Sequence, residues 1–113
     1  MNVPTFVSYF TREVINVDEV DGEIKIALEE RGFRRNENYR NLFAIEPASE
    51  IEAAQILGFL RDIGIPFATD RSGGAGPLIE WWKKNGLVRG EFIVMDTYID
   101  DIKRGIPPQF RKV

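Results

Sequence analysis

Short apolar runs alternate along this chain with stretches whose apolar residues recur every three or four positions. The runs rich in strand-forming residues are residues 5–10, 42–45, 67–69 and 92–95. Between them lie three stretches with helical spacing, each bounded by Gly, Pro or Asn. This order predicts an α/β domain of about four strands and three helices in alternation, with at least part of the sheet parallel.

Capping residues predict where the first two helices begin and end. Asp18 is the predicted N-cap of a helix over residues 18–31, and Gly32 suits the position just after its last turn. Ser49 followed by Glu52 is the capping-box pattern that starts a second helix. Both predictions depend on residue chemistry at the helix termini.

A hairpin is the alternative within the first half of the chain. If residues 33–35 pair with residues 42–45, the fold becomes an α+β, ferredoxin-like unit with a C-terminal extension. No internal repeat or linker occurs, so residues 1–113 are expected to form a single globular domain. From about residue 106 the chain reads as an unstructured basic tail, since Pro107-Pro108 cannot continue a helix.

The chain contains no Cys and no His among its 113 residues, and 43% of them are hydrophobic. That apolar content suffices for one core without disulfides. The missing side chains exclude zinc fingers, Cys–His and Ser–His nucleophilic arrangements, and imidazole bases within this chain. Catalysis would need carboxylates, Lys, Tyr, Ser, Thr or carboxylate-bound Mg²⁺. The composition therefore argues against an enzyme.

Charge is unevenly distributed along the chain, whose formal net charge is −3. Residues 13–30 are strongly acidic, whereas residues 31–40 are rich in arginine. The acidic stretch is either an ordinary solvated helix face or a surface that docks a basic partner. A net negative charge does not favour nucleic-acid binding. The apolar runs are too short for a membrane span and no signal peptide is evident, so a cytoplasmic, acidic protein is expected.

A glycine-rich loop precedes the third predicted helix. Three glycines in four residues allow close backbone approach, and the N–H groups of a helix N-terminus attract anions. However, neither the Gly-Lys-Ser/Thr nor the G-x-G-x-x-G nucleotide pattern is present. We therefore predict a partner contact loop, with anion binding as the alternative. Its residues are Asp70, Arg71, Ser72, Gly73, Gly74 and Gly76.

Two further sets of residues are candidates for a site. Glu46, Asp70 and Asp96 each follow a predicted strand, so parallel strands would gather them at one edge as a candidate Mg²⁺ site. Trp81 and Trp82 lie about 100° apart on a helix, so both cannot lie at the centre of one buried face. Either both pack at the borders of a broad core stripe, or one lies in the core and the other at the surface as an interface aromatic.

These observations predict a small, non-catalytic protein without a cofactor that binds another macromolecule, most of all a protein. An inhibitor, immunity protein or adaptor fits the size and the lack of catalytic groups. One alternative is an Mg²⁺- or phosphate/nucleotide-binding domain that uses carboxylates at strand ends. The other is a nucleic-acid-binding accessory protein. The residues alone identify no family.

Overall fold

The computed structural model describes residues 4–39, 41–68 and 75–113. Within these ranges the chain forms seven strands and four helices. In chain order they are β1 (Phe6–Phe10), β2 (Ile15–Asp18), α1 (Gly22–Arg31), β3 (Arg34–Arg35), β4 (Phe43–Ile45), α2 (Glu50–Asp62), β5 (Phe67–Ala68), α3 (Ala75–Lys84), β6 (Ile93–Met95), α4 (Ile99–Lys103) and β7 (Phe110–Lys112).

All seven strands belong to one mixed sheet with the order β3-β4-β2-β1-β5-β6-β7. The central strands β1, β5 and β6 are parallel, and the remaining pairs are antiparallel. The predicted mixed α/β class with a partly parallel sheet is therefore confirmed. The described residues contain more elements than the four strands and three helices predicted.

The alternative hairpin also forms, because β3 pairs antiparallel with β4. From β2 to β5 the elements follow the β-α-β-β-α-β order of a ferredoxin-like unit. The difference is that β1 lies between β2 and β5 in the sheet. The fold thus combines features of both predictions.

Strand β2 corrects the predicted start of the first helix. Ile15 and Val17 are buried and alternate with partly buried Asn16 and Asp18, which is the period of two of a strand with one buried face. The prediction that Asp18 caps a helix is wrong, because Asp18 ends this strand. The helix itself begins at Gly22, immediately after Asp21.

Two other predicted helix termini are confirmed. Gly32 follows α1 with φ 108°, a left-handed conformation that favours glycine. The backbone N–H of Glu52 donates to Ser49 Oγ at 3.1 Å at the start of α2. Five buried side chains then line one side of α2, among them Ile56 and Leu60.

Strand β7 corrects the predicted unstructured tail. Residues Phe110–Lys112 pair antiparallel with β6. Phe92 and Val113 extend the pairing by exchanging two backbone hydrogen bonds of 2.9 and 2.8 Å. The basic C-terminal residues are therefore an edge strand, although their side chains are exposed.

The two faces of the sheet pack against different helices. A large apolar cluster joins one face of the strands to α1, α2 and α3 through Leu28, Leu60 and Ile79. Phe6, Met95 and Ile102 form a second, smaller cluster. Since successive strand residues point to opposite faces, this cluster places α4 on the other side of the sheet.

The edges of the sheet carry adjacent basic residues. Strand β3 consists of Arg34 and Arg35, and strand β7 contains Arg111 and Lys112. No helix in the described part of the chain is long and apolar enough to cross a bilayer.

Candidate functional site

The C-terminal ends of four strands lie side by side along one edge of the sheet, which runs across the strands and is distinct from the edge strands β3 and β7. Strands β1, β5 and β6 are parallel, and two antiparallel pairings, β1 with β2 and β2 with β4, give β4 the same direction. Glu46 and Asp96 follow β4 and β6, so they share this edge as the sequence predicts. Asp70 lies outside the described residues.

The predicted metal site does not assemble from Glu46 and Asp96. Four strand spacings separate β4 from β6, which is about 19 Å. Carboxylates bound to one Mg²⁺ must lie within a few ångströms of each other. Among the described residues no three Asp or Glu side chains come together around a possible metal position. The prediction that Glu46 and Asp96 share one ion is therefore wrong.

Most of the predicted contact loop, Asp70, Arg71, Ser72, Gly73 and Gly74, also lies outside the described residues. Gly76 is described, in the first turn of α3. A Cβ atom at this position would lie 3.1 Å from Nη2 of Arg111, so the missing side chain makes room for the guanidinium. Arg111 Nε donates to both carboxylate oxygens of Asp96, at 3.1 and 3.3 Å. The structure thus brings Gly76, Asp96 and Arg111 together, and sequence reasoning missed Arg111 because it assigned that residue to the tail.

The two tryptophans divide between the core and the surface. Trp82 is 3% exposed and packs edge-on against Phe10, with ring centroids 6.0 Å apart. Trp81 is 58% exposed. The core member is therefore Trp82, and Trp81 is the surface aromatic.

A groove of about 700 Å³ lies between α1 and the β3–β4 hairpin. Apolar side chains lie at its base and charged side chains line its sides. The sequence analysis did not predict that these residues lie together. The lining includes Lys25, Glu29, Phe33, Arg34, Arg35, Glu37 and Phe43.

Local sequence explains how these side chains meet. Lys25 and Glu29 are four residues apart on α1, so they lie on the same side of the helix. The left-handed turn at Gly32 then brings the chain back beside α1, where the N–H of Phe33 donates to the Leu28 carbonyl at 2.9 Å. Arg35 is in register with Phe43, so both side chains project from the same sheet face.

The charged residues of the groove are not neutralised by one another. Five of them line it, and within the described ranges none of the five takes part in an ion pair of 4.0 Å or less. By contrast, Arg61, Arg104 and Arg111 each contact a carboxylate. Phe33 and Phe43, each 2% exposed, form an apolar base beneath these side chains. The groove therefore offers hydrogen-bond donors and acceptors to a ligand.

The hydroxyl groups of the described residues serve the backbone. Each of the five Ser and Thr side chains in these ranges donates to a carbonyl or accepts from an N–H. They are Thr5, Ser8, Thr11, Ser49 and Thr97. Among the described residues, none of these hydroxyls has a carboxylate or an amine as a hydrogen-bond partner that would activate it as a nucleophile.

Comparison with known proteins finds one type of relative. This chain is 37% identical over 51 residues to the probable chemoreceptor glutamine deamidase CheD of Caulobacter vibrioides, in strain NA1000 / CB15N and equally in strain ATCC 19089 / CIP 103742 / CB 15. The similarity covers 44% of this chain and 27% of the relative. No family profile matches the chain, and no solved structure matches it.

This similarity corrects the functional prediction. The relative is described as an enzyme, which contradicts the prediction of a non-catalytic inhibitor, immunity protein or adaptor. The absence of Cys and His led to that prediction, because it removes the two most familiar nucleophile and base side chains. It does not remove carboxylates and cations, which the groove contains.

Proposed function

We propose that this chain is a deamidase-type hydrolase that acts on glutamine side chains of a partner protein. The observation that carries the proposal is the 37% identity over 51 residues to a probable chemoreceptor glutamine deamidase. The protein partner expected from the sequence then has a defined role as the substrate. The cytoplasmic location remains a prediction from the sequence.

Deamidation converts a side-chain amide and water into a carboxylate and ammonia. Thiol and imidazole chemistry is not open to these 113 residues, since they include no Cys and no His. The hydroxyl groups of the described Ser and Thr side chains bond to the backbone. The chemistry that the described residues support is attack by a water that a carboxylate activates, with cations stabilising the charge on the amide oxygen.

Direct measurement of glutamine hydrolysis tests the proposal. The purified protein is incubated with a glutamine-containing chemoreceptor fragment, and ammonia release is measured together with the mass change from amide to acid. A fragment whose glutamines are replaced by glutamate is the matched control and should release no ammonia. We propose that no metal is involved, so EDTA should leave the rate unchanged. An active deamidase serves as the positive control. If that enzyme modifies the fragment but this protein leaves the glutamines intact, the proposed function is wrong.

A further inference from the structure

We propose that residues 106–113, which include strand β7, form an exchangeable arm. The arm detaches from β6 and binds in the same way to β6 of a second copy of this chain, so that two molecules pair by swapping the strand. Because each copy gives one strand and receives one, the pair closes on itself and leaves neither β6 uncovered. This inference goes beyond the proposed function and does not depend on it.

The side chains of β7 bury little against the rest of the molecule. All three residues of the strand are exposed, and Phe110 has 53% of its surface accessible. Val113, directly after the strand, is partly buried and packs against the main apolar cluster. Detachment of the arm therefore exposes little new apolar surface, so the hydrophobic cost of opening is low.

Contacts between charged side chains hold the strand to the sheet. Arg111 Nε donates to both carboxylate oxygens of Asp96, at 3.1 and 3.3 Å. Lys112 Nζ lies 3.6 Å from Oε2 of Glu91. All four side chains are more than two-fifths exposed, and salt screens ion pairs in such positions. The contacts select where the strand binds, but they do not prevent it from opening.

The edge of β6 that the arm covers determines what can bind there. The backbone N–H groups of Phe92 and Asp96 donate to the carbonyls of Val113 and Gln109, at 2.9 and 2.8 Å. Lys83 Nζ, on α3, also donates to the Val113 carbonyl, at 2.7 Å. An occupant must therefore supply an extended backbone, and it must supply two adjacent cations for the acidic residues that flank β6. The same segment of a second copy meets all of these requirements.

The connection between α4 and β7 can act as a stiff hinge. Gly105 has φ 101° in the turn after α4, and Pro107-Pro108 then favour an extended chain. The Thr97 hydroxyl holds this connection by donating to the Pro107 carbonyl at 3.3 Å and accepting from the Gln109 N–H at 2.9 Å. Because a proline-containing arm stays extended after it detaches, it loses less entropy when it binds a second molecule.

Exchange preserves the contacts that the closed molecule makes. The ladder with β6, the contact of Arg111 with Asp96 and the bond from Lys83 to Val113 all form again between two copies. The closed and exchanged forms then differ in the conformation of the hinge and in the entropy of association. High protein concentration favours the exchanged pair, whereas tethering of the strand favours the closed molecule on dilution.

Engineered cysteines detect the exchange directly, because this chain has no cysteine of its own. Ile93 and Lys112 lie opposite each other, between the hydrogen-bonded pairs of the ladder. At such positions the Cα atoms are about 4.5 Å apart, which a disulfide can span. Ile93→Cys protein is mixed with Lys112→Cys protein, incubated at high concentration and then oxidised. The two variants come into register for a disulfide when β7 of one lies on β6 of the other.

The control mixture combines Ile93→Cys with Phe110→Cys. Phe110 lies on the same strand and face as Lys112, but its Cα is about 7–8 Å from that of Ile93, beyond the span of a disulfide. We expect the Lys112→Cys mixture to give at least about 10-fold more linked heterodimer than this control, as measured by intact mass spectrometry. Equal yields of heterodimer in the two mixtures overturn the exchange.

A double variant checks that the substitutions leave the fold and the register intact. The Ile93→Cys, Lys112→Cys protein should form its disulfide within one molecule when it is oxidised in dilute solution. If it does not, the register of β7 on β6 is wrong and the proposal is overturned with it.

Hydrogen exchange tests the detachment itself. If the arm opens as a unit, the N–H groups of Phe92, Asp96 and Val113 should exchange at a common free energy of opening, well below that of Leu60 within α2. Raising NaCl from about 0.1 M to about 1 M should speed their exchange several-fold, because the charge contacts are screened. Exchange as slow as that of Leu60 would mean that β7 opens only with the whole molecule, which overturns the proposal. Exchange that salt does not change overturns the role of the charge contacts.

Discussion

At the scale of single residues, the adjacent tryptophans are predicted to differ sharply in their contribution to stability. Trp82 is 3% exposed and contacts the Phe10 ring, so Trp82→Ala should lower the free energy of unfolding by about 3–5 kcal/mol. Trp81 is 58% exposed, and Trp81→Ala should change it by less than about 0.5 kcal/mol. Urea denaturation measures both values. Equal effects of the two substitutions would be incompatible with the observed orientation of α3.

Two glycines are predicted to respond to alanine with opposite signs. Gly58 lies inside α2, and a Cβ there would come no closer than 3.8 Å to Arg61 Nη2, so Gly58→Ala should stabilise by up to about 1 kcal/mol. Gly32 has φ 108°, so Gly32→Ala should destabilise by about 1–2 kcal/mol. Thermal unfolding compares the two variants directly. A stabilising Gly32→Ala would mean that the turn beside the groove is not left-handed.

At the scale of secondary structure elements, the residues before α1 and α2 are predicted to differ in their contribution to the free energy of unfolding. Ser49 accepts a hydrogen bond from the Glu52 N–H, so Ser49→Ala should cost about 1 kcal/mol. Asp21 precedes α1 without a side-chain capping bond, so Asp21→Ala should cost less than half of that. Chemical denaturation of both variants provides the measurement, and equal losses would show that the Ser49 bond contributes nothing.

The features that a strong local sequence pattern marks were predicted correctly, and the strands without such a pattern were missed. The N-cap at Ser49 and the glycine after α1 are determined by neighbouring residues, and both were predicted correctly. Strand β2 was missed because it has only two buried residues, Ile15 and Val17, and a helical stripe follows at once. Strand β7 buries no side chain, so only its pairing with β6 defines it.

At the scale of the whole molecule, the candidate groove was not predictable from the pattern. Its charged residues fall in an acidic stretch and in a basic stretch that follow each other in sequence. They face one space only because β3 turns back beside α1 and pairs with β4. The hairpin predicted as an alternative from the sequence includes the pairing of β3 with β4. No local feature of the sequence indicated that Lys25 and Glu29 would face this hairpin. The groove therefore depends on the register of strand pairing between β3 and β4, and not on the secondary-structure propensity of single residues.

The basic pairs at the two sheet edges have a consequence for solubility. Joining molecules edge to edge would place Arg34 and Arg35 of one copy beside Arg111 and Lys112 of the next. Arg111 and Lys112 contact Asp96 and Glu91, whereas Arg34 and Arg35 have no ion pair among the described residues, so these two arginines bring uncompensated charge that opposes sheet extension. Salt shortens the screening length from about 10 Å at 0.1 M to about 3 Å at 1 M. We therefore expect light scattering of the wild-type protein to rise with salt.

Reversing the charge of one edge strand should reverse the dependence of light scattering on salt concentration. The Arg34→Glu, Arg35→Glu double variant has an acidic edge at β3 and a basic edge at β7, so each molecule can bind the next in the same orientation. Contacts of that kind do not close on themselves and produce filaments. Filaments of the variant should form at low salt and dissolve as salt is added. In the unmodified protein, we expect the same two arginines to oppose growth of the described sheet into a polymer.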